Sequence, residues 1–121
     1  MCSILIADDD GALRQVIREF LQLWDSACQI SEAANGAEAV DCARDTSPDI
    51  ILMDIEMPKL DGISATRQIT ELGLGCKTII CTSYDHDTIW PKAKQAGAVD
   101  IIIKPFNLVD LGVKLEMILA K

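Results

Sequence analysis

The chain has 121 residues, half of them hydrophobic and a quarter charged, and 19 acidic against 11 basic side chains give a formal net charge of −8. That length holds one domain with a core of its own, expected to span residues 1–121, and the composition is that of a folded rather than a disordered chain. The acidic balance argues against nonspecific nucleic-acid binding and against attraction to anionic lipid. No apolar run approaches a bilayer span and no signal-peptide pattern opens the chain, so the expected setting is cytoplasmic, with no membrane contact.

Residues 4–7 read as a short buried strand, and Asp8, Asp9 and Asp10 follow it directly. Leu13, Val16, Ile17, Phe20, Leu21 and Trp24 then recur at helical spacing. Residues 29–33 form a weaker strand candidate. "NGAEAVDCAR" gives an alanine-rich helix entered through the turn residues Asn35 and Gly36. "DIILMD" (49–54) is the clearest strand, a continuous apolar run of the kind covered on both faces.

A loop with Pro58 and Gly62 leads to a helix through Ile63, Thr66, Ile69 and Leu72, and "KTIICT" (77–82) is the fourth strand. Pro91 bears on the fourth helix, because proline in a helix interior costs roughly 3 kcal/mol and is accepted in the first turn. The expected helix therefore begins near residues 88–90 and leaves "SYDHD" as a loop; the alternative is a kinked helix. His86, the one histidine, reads as a solvated loop residue. "VDIIIK" (99–104) is the fifth strand, and Leu108, Leu111, Leu115, Ile118 and Leu119 stripe the last helix. Cys2, Cys28, Cys42, Cys76 and Cys81 form no CxxC pair and read as reduced thiols acting as small hydrophobes.

Strands alternating with helices imply an α/β domain with a doubly wound parallel sheet. In such sheets ligands bind beyond the carboxyl ends of the strands, where strand order reverses. The residues at those ends are Asp8 and Asp9, Asp54, Thr82 and Lys104. Carboxylates gathered at one edge repel unless a cation joins them, and an all-oxygen set suits Mg²⁺. With a lysine and a hydroxyl opposite, the set contains the parts for in-line phosphoryl transfer to a carboxylate. A calcium loop ending at Gly11 would need acids at Ile6 and Ile17, and both are apolar.

The motifs "ILIADDD", "ANGAEAV", "PDIILMDIEMPKLDG", "IICTS" and "AGAVDIIIKPF" together resemble the receiver domain of the two-component response regulators, of the chemotaxis-type single-domain kind, essentially end to end. The resemblance implies a flavodoxin-like fold of five parallel strands in order 2-1-3-4-5 with five helices. It implies a signalling switch rather than an enzyme on a separate substrate, one that promotes its own aspartyl phosphorylation and dephosphorylation. Asp54 would be the phosphoacceptor. Asp9 and Asp54 would bind Mg²⁺ directly, Asp8 through water, and the backbone carbonyl of Glu56 would add a ligand. Thr82 and Lys104 would contact the phosphoryl group, and the Lys104–Pro105 bond would be cis. The donor would be a histidine kinase or phosphotransfer protein. The output would be a downstream protein meeting the fourth helix, fifth strand and fifth helix.

Three positions qualify the resemblance. Receivers carry Tyr or Phe three residues before the lysine, where this chain has Ile101, so transmission of the signal cannot use the swing of a ring. Trp90 lies on the fourth helix, either as core packing or as part of an interaction patch, whereas Trp24 reads as packing. Glu56 and Tyr84, two residues after Asp54 and Thr82, would flank the path of attacking water and tune phosphoryl lifetime. Asp10 reads as a first-turn helix carboxylate. A small-molecule phosphotransferase is the rival from another class, with Glu56 two positions after Asp54 as its acid/base, but the chain has no cap region to enclose a substrate. A partner-binding receiver without phosphorylation is the third reading, favoured by Ile101 alone.

Overall fold

The apolar runs become five parallel strands. In the computed structural model, which describes residues 2–120, the order is β1 (Ser3–Ala7), α1 (Gly11–Trp24), β2 (Gln29–Ala33), α2 (Gly36–Thr46), β3 (Ile50–Asp54), α3 (Gly62–Glu71), β4 (Lys77–Thr82), α4 (His86–Ala96), β5 (Asp100–Ile103) and α5 (Leu108–Leu119). The sheet runs β2-β1-β3-β4-β5 with every pair parallel, as the resemblance implied. Strand order reverses between β1 and β3, so the crevice for a ligand opens there.

Side chains alternate across each strand and divide the core in two. Leu5, Ala7, Ile51, Met53, Ile80 and Ile101 face Ala39, Val40, Ala43, Ala65, Ile69, Ile89 and Ala93 of α2, α3 and α4. Ile4, Ile6, Ile50, Leu52, Ile79 and Ile102 face Ile17 and Leu21 of α1 and Leu111 and Leu115 of α5. All five residues of β3 are buried, which is why its sequence shows no polar alternation. The edge strand β2 keeps Gln29 and Glu32 exposed, which is why it reads weakly. Leu111 and Leu115, both fully buried, each contribute about 1.5–3 kcal/mol relative to exposure. Among the described residues no helix is long and apolar enough to cross a membrane.

The structure corrects three local expectations. α4 begins at His86, and Pro91 lies inside it as the sixth residue. The carbonyl that loses its hydrogen bond belongs to Asp87, an exposed residue one turn earlier, where water can serve it. The loop is thus only residues 83–85, and His86 starts the helix, exposed and 6.2 Å from the Trp90 ring. Asp10 is the N-cap of α1 rather than a first-turn residue, its carboxylate accepting from the amides of Ala12 and Leu13.

The third correction concerns the thiols. Cys2 and Cys28 are joined in a disulfide, S–S 2.08 Å, and only Cys42, Cys76 and Cys81 are free. Parallel pairing of β1 with β2 sets Ser3 beside Gln29. The residues just before each strand therefore sit side by side, with Cα atoms 4.7 Å apart, a proximity that spacing along the chain does not reveal.

Candidate functional site

Parallel strands finish together, and their last residues meet. β1 runs out at Ala7, so Asp8 and Asp9 project from the turn into α1; Asp54 and Thr82 end β3 and β4, and Lys104 follows β5. Asp54 pairs with Cys81 and Thr82 with Ile103, which staggers the carboxylate against the hydroxyl. The Lys104 amide donates to the Thr82 carbonyl at 2.7 Å, and the Lys104–Pro105 peptide is cis, as the resemblance implied.

The carboxylates of Asp8, Asp9 and Asp54 bring oxygens within 4.8 Å of one another. Asp8 and Asp54 are buried and Asp9 is exposed. Lys104 Nζ lies 2.8 Å from Asp8 Oδ2 and 3.3 Å from Asp54 Oδ1, bridging the buried pair. Asp8 Oδ1 accepts from the Asp10 amide at 2.9 Å. Buried Thr82 accepts from the Tyr84 amide through Oγ1 at 3.0 Å, which leaves its hydroxyl proton free to donate. These groups edge a shallow cavity of about 190 Å³ lined by Asp9, Asp54, Glu56, Thr82, Ser83, Tyr84 and Lys104.

Burial raises the Asp54 pKa, the Asp8 charge raises it further, and Lys104 pulls it partly back. Burial alone would lower the Lys104 pKa, but its hydrogen bond to Asp8 and the Asp54 charge outweigh that and raise it. The ammonium therefore stays charged at neutral pH. Burial holds the Cys81 thiol up at about 12, so it is no nucleophile. The Tyr84 phenol is raised by its hydrogen bond with Glu56 and by that group's charge. Both side chains are exposed and line the cavity.

The turn that begins "IEMPKLDG" is held from behind. The Gly62 amide donates to the Ile55 carbonyl at 2.9 Å, and a Cβ on Gly62 would lie 1.9 Å from the Asp54 carbonyl oxygen. Only glycine lets α3 start this close to the end of β3. The donor set itself is three carboxylates with no nitrogen or sulfur among them, which fits a small hard divalent cation rather than zinc or copper.

Asp8, Asp9, Asp54, Thr82, Lys104, Glu56 and Tyr84 are thus brought to one crevice. Two sequence candidates lie elsewhere. Ile101 is buried in the layer beneath α2–α4, and half-buried Trp90 packs against the same layer. Trp90 is therefore partly core and partly surface. The sequence reading passed over Ser83, which lines the cavity, and Arg14, which bonds the Asp8 carbonyl. Ser83 directly follows the threonine that ends β4, and that adjacency was the available signal.

Comparison with known proteins agrees with this arrangement. The family model for the response regulator receiver domain matches residues 4–116. The Chemotaxis protein CheY of Bacillus subtilis is 39% identical over 104 residues, 86% of each chain. The Chemotaxis protein CheY of Halobacterium salinarum is 41% identical over 105 residues, 86% of this chain and 85% of the other. Among solved structures, Vibrio cholerae CheY4 superposes with a TM-score of 0.89 at 26% identity, covering 98% of both chains.

Proposed function

The chain belongs to the response regulator receiver family, and from that premise we propose that Asp54 accepts a phosphoryl group from a histidine kinase or phosphotransfer protein in a Mg²⁺-dependent reaction. The carrying observation is the convergence of Asp8, Asp9 and Asp54 with Lys104 bridging two of them. Asp8, Asp9, Asp54 and the backbone carbonyl of Glu56 would hold Mg²⁺. When bound, the ion offsets negative charge on the phosphoryl oxygens.

A carboxylate oxygen of Asp54 attacks phosphorus in line. The bond from phosphorus to the donor nitrogen breaks, and its electron pair stays on the donor imidazole. Lys104, charged throughout, and the Thr82 hydroxyl are the donors for the phosphoryl oxygens. In the hydrolytic step water attacks phosphorus from the open side, between Glu56 and Tyr84; the bond from phosphorus to the Asp54 oxygen breaks, the electron pair returns to the carboxylate, and inorganic phosphate leaves. These two side chains at the cavity edge would set how easily water is admitted, and so how long the acyl phosphate lasts.

The added charge biases a two-state surface. With isoleucine at 101, the bias passes through packing of β5 against α4 rather than through a ring. The receiving surface would be the α4–β5–α5 face for a downstream protein. Val109, Val113 and Met117 are exposed there, beside a groove of about 500 Å³ whose rim holds the Asp100–Lys114 ion pair.

Intact mass after incubation with Mg²⁺ and a small acyl phosphate tests the reading. One phosphate adduct is expected, absent without Mg²⁺ and in Asp54→Asn; an adduct that persists in Asp54→Asn sinks it.

A further inference from the structure

Asp9 is the exposed member of the acidic cluster, and among the described residues no group donates a hydrogen bond to its carboxylate. Its aim is therefore set by its own backbone, through the Asp8–Asp9 peptide. Rotation of that peptide swings the Asp8 carbonyl and the Asp9 Cα–Cβ direction together.

A guanidinium holds that carbonyl. Arg14 is the fourth residue of α1, and its side chain runs back toward the helix start. Its Nη1 donates to the Asp8 carbonyl at 2.5 Å, and its Nε donates to Glu32 Oε1 on β2 at 3.0 Å. The path crosses Gly11, where a Cβ would meet Arg14 Nη2 at 3.4 Å. One planar fork thus ties the acidic turn to the neighbouring edge strand, a geometry that a lysine cannot reproduce. Glu32 also takes Nε of Arg18 at 2.6 Å, while Arg18 reaches the Ile30 carbonyl rather than the acidic turn. Glu32 offsets positive charge beside the cluster, so the clamp adds little repulsion toward a cation.

We propose that Arg14 is the positioning residue that fixes the Asp8–Asp9 peptide and so aims the Asp9 carboxylate at the cation. This rests on the phosphoacceptor reading. Charge and geometry make opposite predictions for Arg14→Ala. Removing a nearby positive charge tightens cation binding, whereas releasing the peptide weakens it.

The test is titration calorimetry with Mg²⁺ alone on wild type, Arg14→Ala, Arg14→Lys and Arg18→Ala, with thermal melts confirming that each is folded. Arg14→Ala is expected to bind Mg²⁺ about tenfold more weakly, the usual cost of losing a group that orients a ligand. Arg14→Lys stays nearer to Arg14→Ala than to wild type, and Arg18→Ala, which removes the same charge, stays within about twofold of wild type. Without metal, hydrogen exchange at the Asp10 amide quickens in Arg14→Ala, because its acceptor is Asp8 Oδ1. Equal or tighter binding by Arg14→Ala overturns the proposal, as does an equal loss in Arg18→Ala. Absence of Mg²⁺ binding by wild type removes the phosphoacceptor reading and this one with it.

Discussion

All five strands run the same way, so the sheet has an amino end where they start and a carboxyl end where they stop, and the two ends treat their acidic residues in opposite ways. At the amino end Asp49 accepts from the Ser3 amide at 2.9 Å, while its own backbone joins Ser3 and Lys77 across three strands. The Cys2–Cys28 bond closes the same end. At the carboxyl end Asp8 and Asp54 are buried together, and burial and the Asp8 charge disfavour ionisation of Asp54. At the amino end a single carboxylate knits backbone; at the carboxyl end two buried carboxylates share one lysine, with a third, exposed one beside them.

The comparison breaks most visibly at Gly62. A methyl group there meets the Asp54 carbonyl at 1.9 Å, and backbone cannot rotate away as a side chain can. Gly62→Ala is expected to cost at least about 3 kcal/mol in urea unfolding, at the upper end of single substitutions. It is also expected to lower the yield of phosphate adduct. A loss of stability with full adduct yield would show that α3 shifts without carrying Asp54 along.

The amino end should fail differently. Cutting the disulfide releases a loop with a sequence separation of 26, which costs about 3 kcal/mol on the chain-entropy account. Reduction, or Cys2→Ser with Cys28→Ser, should lower the unfolding midpoint accordingly while Mg²⁺ affinity stays within about twofold. Affinity that falls with the disulfide would mean the two ends are coupled through β1.

How much of this was visible beforehand follows from range. Apolar runs, one-face stripes and turn residues located all ten elements, with the start of α4 misplaced, because such patterns are written locally. The strand order and the cis Lys104–Pro105 bond came from resemblance, since nothing local encodes which strands become neighbours. The same gap hid the disulfide, which exists because Ser3 and Gln29 share a register. It also hid Arg14, whose role needs the curled acidic turn and Glu32 of the next strand to be seen together. Pro91 misled for another reason: the interior penalty is smaller where the freed carbonyl belongs to an exposed residue, Asp87.

The smallest expected effect separates two acids at the carboxyl end by the sign of their response to pH. Burial would raise the Glu32 pKa, but hydrogen bonds from Arg18 and Arg14 outweigh it and lower it below its ordinary value of 4.5. A lowered carboxyl contributes stability that is present above the unfolded pKa and lost as pH falls through the folded one. Asp54 moves the other way, its raised pKa marking an ionised form that folding disfavours. Glu32 and its arginines are partly exposed, with side chains 19–32% accessible, so solvent screening keeps the contribution small. Urea midpoints should therefore fall slightly more steeply below about pH 4.5 in wild type than in Glu32→Gln, and high salt should narrow the difference. Parallel curves at low salt would mean that the arginine pair adds no net stability, leaving the bond of Arg14 to the Asp8 carbonyl as a positioning contact alone.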